Sequence, residues 1–143
     1  FVDMGVHTLD FLDFVLGPIR SATGHVANTA GYYPAEDTVT ASFQFESGIL
    51  GAGAWNFTGH TDRDVCEIAG SLGKVSFSSF DAEPIVLETA GGRQELPIPN
   101  PAHVQQPLIQ TVVDELLGAG RCPSTGESGA RTTWVIDQVL RHG

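Results

Sequence analysis

The sequence predicts an α+β fold: an open, mostly antiparallel β-sheet with helices packed on one face. Three observations carry that prediction. A helical pattern opens the chain, a series of short strand patterns separated by Gly and Pro turns fills its middle, and two amphipathic helices close it. At 143 residues and 41% hydrophobic content, the length suits one domain spanning residues 1–143 and is short for two.

The first helix is expected over residues 4–16, with Asp3 capping its start and Gly17-Pro18 stopping it. Leu9, Leu12, Val15 and Leu16 give it an apolar stripe. A strand follows over 19–26, and residues 28–37, with Gly31 and Pro34 around Tyr32-Tyr33, form a loop of the kind that lines binding sites. The clearest pattern is residues 38–45, where Val39, Ala41, Phe43 and Phe45 alternate with polar residues at period two. The Glu46-Ser47-Gly48 turn then leads into a strand over 49–57, making an antiparallel hairpin. Four more strands are expected over 65–70, 74–77, 85–88 and 93–98, a meander punctuated by Gly73, Pro84 and Gly91-Gly92. The next helix carries Val104, Leu108, Ile109, Val112, Val113, Leu116 and Leu117 at helical spacing and ends at Gly118. The last runs over 127–140, with Ser124 and Glu127 spaced as a capping box and Thr132, Val135, Ile136, Val139 and Leu140 on one face.

Charge narrows the partners. Seventeen acidic residues against seven basic ones give a net charge of -10, which repels nucleic acid and anionic membranes. No apolar run reaches the roughly 20 residues that cross a bilayer, so the chain is expected to be soluble and cytoplasmic, with Cys66 and Cys122 as ordinary thiols. The pattern begins at Phe1 with no initiator Met or leader, and more chain is expected before it.

Asp3 and His7 stand four apart at a helix start, a spacing that lets side chains meet. A carboxylate beside an imidazole orients the ring and fixes its tautomer, the arrangement of a general acid or base; it is also what a capping Asp with a helical His nearby looks like. Asp10 extends the same face, so a metal set of Asp3, His7 and Asp10 is conceivable. Against it, no second His or Cys stands at ligand spacing, which favours Asp10 as a structural hydrogen-bonding group, Asp13 as solvated surface and no metal. His60, Asp62 and Arg63 share a polar loop that could face a hydroxylated substrate or simply solvent. His25, His103 and His142 have no partner that singles them out, and Trp55 and Trp134 are expected to pack in the core or at an interface. There is no dinucleotide fingerprint: Gly51-Ala52-Gly53 lacks the third glycine and sits within a strand. Neither a Gly-Lys-Ser/Thr phosphate loop nor a Gly-x-Ser-x-Gly elbow is present.

The opening Asp3-Met4-Gly5-Val6-His7-Thr8-Leu9-Asp10 resembles the Asp-x-Gly-x-His-x-x-Asp signature of the Gfo/Idh/MocA oxidoreductases, the glucose-fructose oxidoreductase and inositol dehydrogenase family. Leu16-Gly17-Pro18-Ile19, the strand-turn-strand of residues 43–51, the segment from Cys66 to Lys74 and the turn from Cys122 to Ala130 are similar to the family's in order and spacing. The resemblance spans nearly the whole chain. It implies the C-terminal, substrate-binding half of an NAD(P)-dependent dehydrogenase acting on a sugar, polyol or related small molecule. A preceding Rossmann domain would bind NAD or NADP and supply a Glu-Lys-Pro lysine; these 143 residues alone would then be inactive. His7 would handle the proton of a substrate hydroxyl, Asp3 would hold the imidazole and Asp10 would support them. The loop of His60, Asp62 and Arg63, and Asp10 with it, would contact substrate. The exposed sheet face, with Gly51 and Gly53 beside Trp55 and Phe57, would pair subunits into a homodimer or higher homo-oligomer. A non-catalytic oligomerisation or ligand-binding module and a metal-dependent lyase or isomerase are the alternatives.

Overall fold

A computed structural model describes residues 1–141; His142 lies outside the described residues. They form an α+β fold of three helices and seven strands in which every strand pairing is antiparallel. The expected single sheet is two: β1-β2-β3 and β4-β5-β6-β7. Backbone ladders stop at Asn56 because the next residues, among them Gly59 and the charged Asp62 and Arg63, run as loop to the following strand. The chain divides into two compact units, Phe1–His60 with the segment from Cys122 onward, and Thr61–Arg121.

In the first unit α1 (Gly5–Leu16) leads through Gly17, at φ 88°, into β1 (Ile19–Ala27). Strand β2 (Thr38–Phe45) is central, and its period-two pattern is realised: Val39, Ala41, Phe43 and Phe45 are buried while Thr40 and Ser42 face outward. Gly48, also at φ 88°, closes the hairpin to β3 (Leu50–Asn56), with the Phe45 amide donating to the Ile49 carbonyl at 2.9 Å. A left-handed residue matches the twist of the flanking strands at that point.

The last helix, α3 (Gly126–Arg141), buries Thr132, Val135, Ile136 and Val139, the face its spacing predicts, against β1 and α1. Its capping box is one residue later than expected: the Ser128 amide donates to Thr125 Oγ1 at 3.2 Å, and the Thr125 amide to Ser128 Oγ at 2.9 Å. Glu127 sits in the first turn, where it complements the helix dipole. The core joins Phe1, Leu9, Ile19, Ala22 and the β2 residues to Val135, Ile136 and Val139, and each large side chain so buried stabilises the fold by about 1.5–3 kcal/mol. Trp55 packs edge-on against Phe1, ring centroids 4.9 Å apart, whereas Trp134 on α3 is 42% exposed and joins no core. Val15 of α1 also faces out, because the buried stripe runs through Gly5, Leu9 and Asp13 instead.

The second unit holds β4 (Cys66–Gly70), β5 (Gly73–Phe77), β6 (Ile85–Thr89), β7 (Gly92–Leu96) and α2 (Gln106–Leu116). Register aligns Ile68 with Val75, Val75 with Leu87 and Ile85 with Leu96, which collects the apolar side chains on one face. On the other face Lys74, the only lysine, bridges Glu67 at 2.7 Å and Glu88 at 3.0 Å. Helix α2 starts with Pro107 in its first turn and is followed by Gly118 at φ 71°, as its stop signal predicts. Its apolar stripe stays exposed, with no buried residue in the helix.

A close approach between elements of the first unit is at Gly24 of β1. A Cβ there would come within 2.7 Å of Val139 Cγ1 and of the Thr40 carbonyl oxygen. Helix α3 therefore rests on a strand position that has room for hydrogen alone. Gly24→Ala should cost about 1–3 kcal/mol in urea unfolding, and a variant matching the parent chain within about 0.3 kcal/mol would contradict this contact.

Candidate functional site

Three elements meet at one end of the first unit. The Asp37 amide donates to the Ala27 carbonyl at 3.0 Å, which holds loop 28–37 at the end of β1. The Phe1 nitrogen, 3.4 Å from Glu36, ties the start of the helix to loop 28–37. The Phe57 amide donates to the Asp37 carbonyl at 2.9 Å and brings the end of β3 to the same place.

Asp3 does not cap α1. The cap position is Met4, already in helical conformation and making no side-chain cap bond, while the Gly5 amide donates to the Phe1 carbonyl at 2.7 Å. The turn from Phe1 to Gly5 is wound one residue further than the sequence suggested, which leaves Asp3 within it and exposed. Gly5 is required there, because a Cβ would strike the Phe1 ring at 2.3 Å. His7, in the first turn of α1, is likewise exposed. Asp3 and His7 thus open toward solvent at the head of a helix whose other side is in the core.

Asp10 and Asp13 are turned the other way. Thr132 Oγ1 donates to Asp10 at 2.9 Å, so Asp10 is the structural hydrogen-bonding group its position suggested. Asp13 is not solvated surface: it is 6% exposed and receives Arg131 in a two-pronged pair, Nε at 3.1 Å and Nη2 at 2.6 Å. The spacing analysis missed this because Arg131 lies 118 residues away. The hydrogen bonds to the Asp13 carboxylate raise the pKa of the Arg131 guanidinium, so it stays charged at any working pH. Among the described residues no group of three or more His, Cys, Asp or Glu is placed to hold a metal ion, and Asp3, His7 and Asp10 form no such group.

Asp37 is the second buried carboxylate that sequence spacing passed over. It is 1% exposed and accepts from the Thr29 amide at 2.8 Å, Thr29 Oγ1 at 2.8 Å, the Ala30 amide at 2.8 Å and Thr38 Oγ1 at 3.0 Å. The two backbone donors dominate in holding its pKa down, from 3.8 to about 2. Asn28 fastens the loop from within, accepting from the Gly31 amide at 2.8 Å and donating to the Tyr33 carbonyl. The flanking threonines Thr29 and Thr38 were the available signal in the sequence. The loop they secure presents Tyr32, 82% exposed, and Tyr33.

His60, Asp62 and Arg63 are all exposed, His60 closing the first unit and the other two opening the second. Arg63 helps keep Glu67 ionised, behind the larger effect of Lys74. Burial and the nearby carboxylates of Asp64 and Glu67 push the Cys66 thiol up, which disfavours a thiolate nucleophile. Cys122 is buried and its thiol donates to the Ser124 carbonyl at 3.2 Å. The glycine face expected to pair subunits faces inward: Gly51, Gly53 and Trp55 alternate toward the core, and a Cβ on Gly53 would meet the Trp55 ring at 2.5 Å. The outer face is instead a shallow concavity lined by Thr23, His25, Thr40 and Ser42, continued by Ala52 and Ala54.

A sequence model of the GFO/IDH/MocA C-terminal domain matches residues 1–76. Oxidoreductase P35 of Formosa agariphila is 28% identical over 137 residues, 96% of this chain and 42% of that protein. Two solved structures share the fold. An oxidoreductase from Agrobacterium radiobacter, in complex with NAD+, L-tartaric acid and magnesium, superposes with a TM-score of 0.82 at 16% identity, over 98% of this chain and 45% of the other. UDP-N-acetylglucosamine 3-dehydrogenase from Acidithiobacillus ferrooxidans gives 0.83 at 13% identity, over 97% and 45%. The chain spans less than half the length of each of these proteins.

The depressed pKa of Asp37 sets a pH dependence. Its stabilisation is fully present above about pH 4 and is lost as pH falls through about 2. Asp37→Asn should therefore lower the urea midpoint near neutral pH and flatten the acid limb of the stability curve between those values. An acid limb of unchanged slope would show that Asp37 does not carry it.

Proposed function

The chain belongs to the GFO/IDH/MocA family of oxidoreductases, and from that premise we propose that it is the substrate-binding and subunit-pairing part of an NAD(P)-dependent dehydrogenase acting on a sugar or polyol. The observation that carries this reading is the exposed Asp3 and His7 at the head of α1, where the Asp-x-Gly-x-His signature falls on a helix anchored from behind by Asp10 and Asp13. The residue pattern and the fold support it, since the fold is that of proteins crystallised with NAD+ and of a nucleotide-sugar dehydrogenase.

When bound, a nicotinamide nucleotide supplies the hydride acceptor or donor for this chemistry. These 143 residues contain no glycine turn fit to cradle its phosphates, so no residue here is assigned to hold it, and cofactor binding is assigned to chain beyond them. The work left to this part is at the alcohol. His7 takes the hydroxyl proton in oxidation and returns it in reduction, and Asp3 orients the imidazole for that transfer. The exposed polar groups of His60, and separately those of Asp62 and Arg63 on the second unit, are suited to contacts with hydroxyl groups, and Asp10 supports the helix that carries His7. Pairing with a second copy uses the outer face of Thr23, Thr40, Ser42, Ala52 and Ala54, whose small side chains permit close approach. Isolated, the chain is inactive and cytoplasmic.

Within the whole dehydrogenase, oxidation of a panel of sugars and polyols can be followed by NAD(P)H absorbance. His7→Ala should lower kcat/KM by about 10²- to 10⁴-fold with cofactor affinity unchanged. Activity within threefold of the parent would remove His7 from the mechanism. Micromolar NAD(P)H binding by the 143-residue chain alone would overturn the assignment of the cofactor elsewhere.

A further inference from the structure

Loop 28–37 is unusual in what it combines. It is fastened at both ends, by Asp37 through four hydrogen bonds and by Asn28 through two, and Asp37 is itself buried. Its tip nevertheless carries Tyr32 with 82% of its surface in water. Holding a loop in one geometry costs conformational entropy, and here the fastened loop leaves most of Tyr32 in water. The aromatic ring is presented, following directly on Gly31 at φ 69°, a left-handed position suited to glycine that sets the direction of the tip.

The placement of the loop gives the presentation a use. Glu36 contacts the Phe1 nitrogen and Asp37 receives the Phe57 amide, so the loop stands at the end of the unit where α1 begins with Asp3 and His7. An exposed aromatic on a fastened loop, at the same end of the unit as Asp3 and His7, suits one kind of substrate. Pyranoses and cyclitols have a ring with one face of C–H groups, which stacks on an aromatic face and removes apolar area from water, while the hydroxyls at the ring edge stay free for His7. An acyclic polyol has no such face.

Resting on the dehydrogenase reading above, we propose that Tyr32 is a specificity residue that stacks on the C–H face of a cyclic substrate and so selects a six-membered ring over an open-chain polyol. Tyr32 touches the ring away from the reacting carbon. Its phenol hydroxyl is not needed, and its effect lies in binding rather than in the proton transfer.

The test measures binding of D-glucose and of D-sorbitol, the open-chain probe, to the 143-residue chain by ligand-observed NMR. The variants are Tyr32→Ala, Tyr32→Phe and His7→Ala, with light scattering on each. The expected result is a D-glucose Kd raised about 3- to 10-fold by Tyr32→Ala, unchanged by Tyr32→Phe, with sorbitol affected less than twofold; His7→Ala weakens both probes. If Tyr32→Ala leaves glucose binding unchanged while His7→Ala weakens it, the stacking role is wrong and the dehydrogenase site stands. Should neither variant matter, or the parent chain bind neither probe, both readings fall. A change of oligomeric state on Tyr32→Ala would assign Tyr32 to a subunit contact and overturn the proposal.

Discussion

The first unit depends on how closely α3 can lie on β1. At Gly24 the strand offers only hydrogen, and Val139 occupies the space a side chain would take. From that contact the rest is transmitted through α3. One turn after another, its buried face meets the core with Val139, Ile136 and Val135, then reaches α1 with Thr132 and Arg131. Thr132 holds Asp10 and Arg131 holds Asp13, so α1 is clamped along its length by two carboxylates rather than by apolar packing alone. The geometry at Asp13 matters because an ionised carboxylate buried without such a partner would cost several kcal/mol; the two-pronged guanidinium satisfies both oxygens. The head of α1, with Asp3 and His7, is thereby fixed while its outer side stays open.

Much of this was legible in the sequence, and the part that was not has a common cause. Strand β2 could be read residue for residue because alternation at period two survives in any context that buries one face. The apolar face of α3 and the stops at Gly17 and Gly118 were equally local signals. The candidate site was marked in part as well, since a motif at the chain start singles out Asp3, His7 and Asp10 without knowledge of the fold. What could not be read depends on partners remote in sequence. Asp13 looks like surface until Arg131 is folded against it, and Asp37 looks like an ordinary loop residue until Thr29 and Ala30 turn their amides toward it. The facing of β3 failed for a related reason: its run of Gly and Ala has little amphipathic contrast, so only the pairing of Ala41 with Gly53 and Val39 with Trp55 reveals which side is inward. The division of the strands into two sheets also has no local signature, because each hairpin looks the same whether or not a ladder joins it to the next.

The hydrogen-bonded carboxylates divide the labour of the unit. Asp10 and Asp13 are spent on holding a helix, Asp37 on holding a loop, and in each case an oxygen is satisfied by donors whose geometry the fold supplies. Asp3 is the carboxylate left toward solvent beside His7. In this chain the signature thus combines an aspartate hydrogen-bonded to the neighbouring helix, Asp10, with an exposed one, Asp3. The second aspartate of Asp-x-Gly-x-His-x-x-Asp faces the neighbouring helix, where Thr132 donates to it.

The central claim is that the alcohol of the substrate is bound against His7. A crystal structure of the whole dehydrogenase with a nicotinamide nucleotide and a bound cyclic sugar tests it most directly. The account predicts a sugar hydroxyl within about 3.2 Å of the His7 imidazole, on a carbon facing the nicotinamide. A sugar whose reacting carbon faces the nicotinamide with His7 out of reach of its hydroxyl would contradict it.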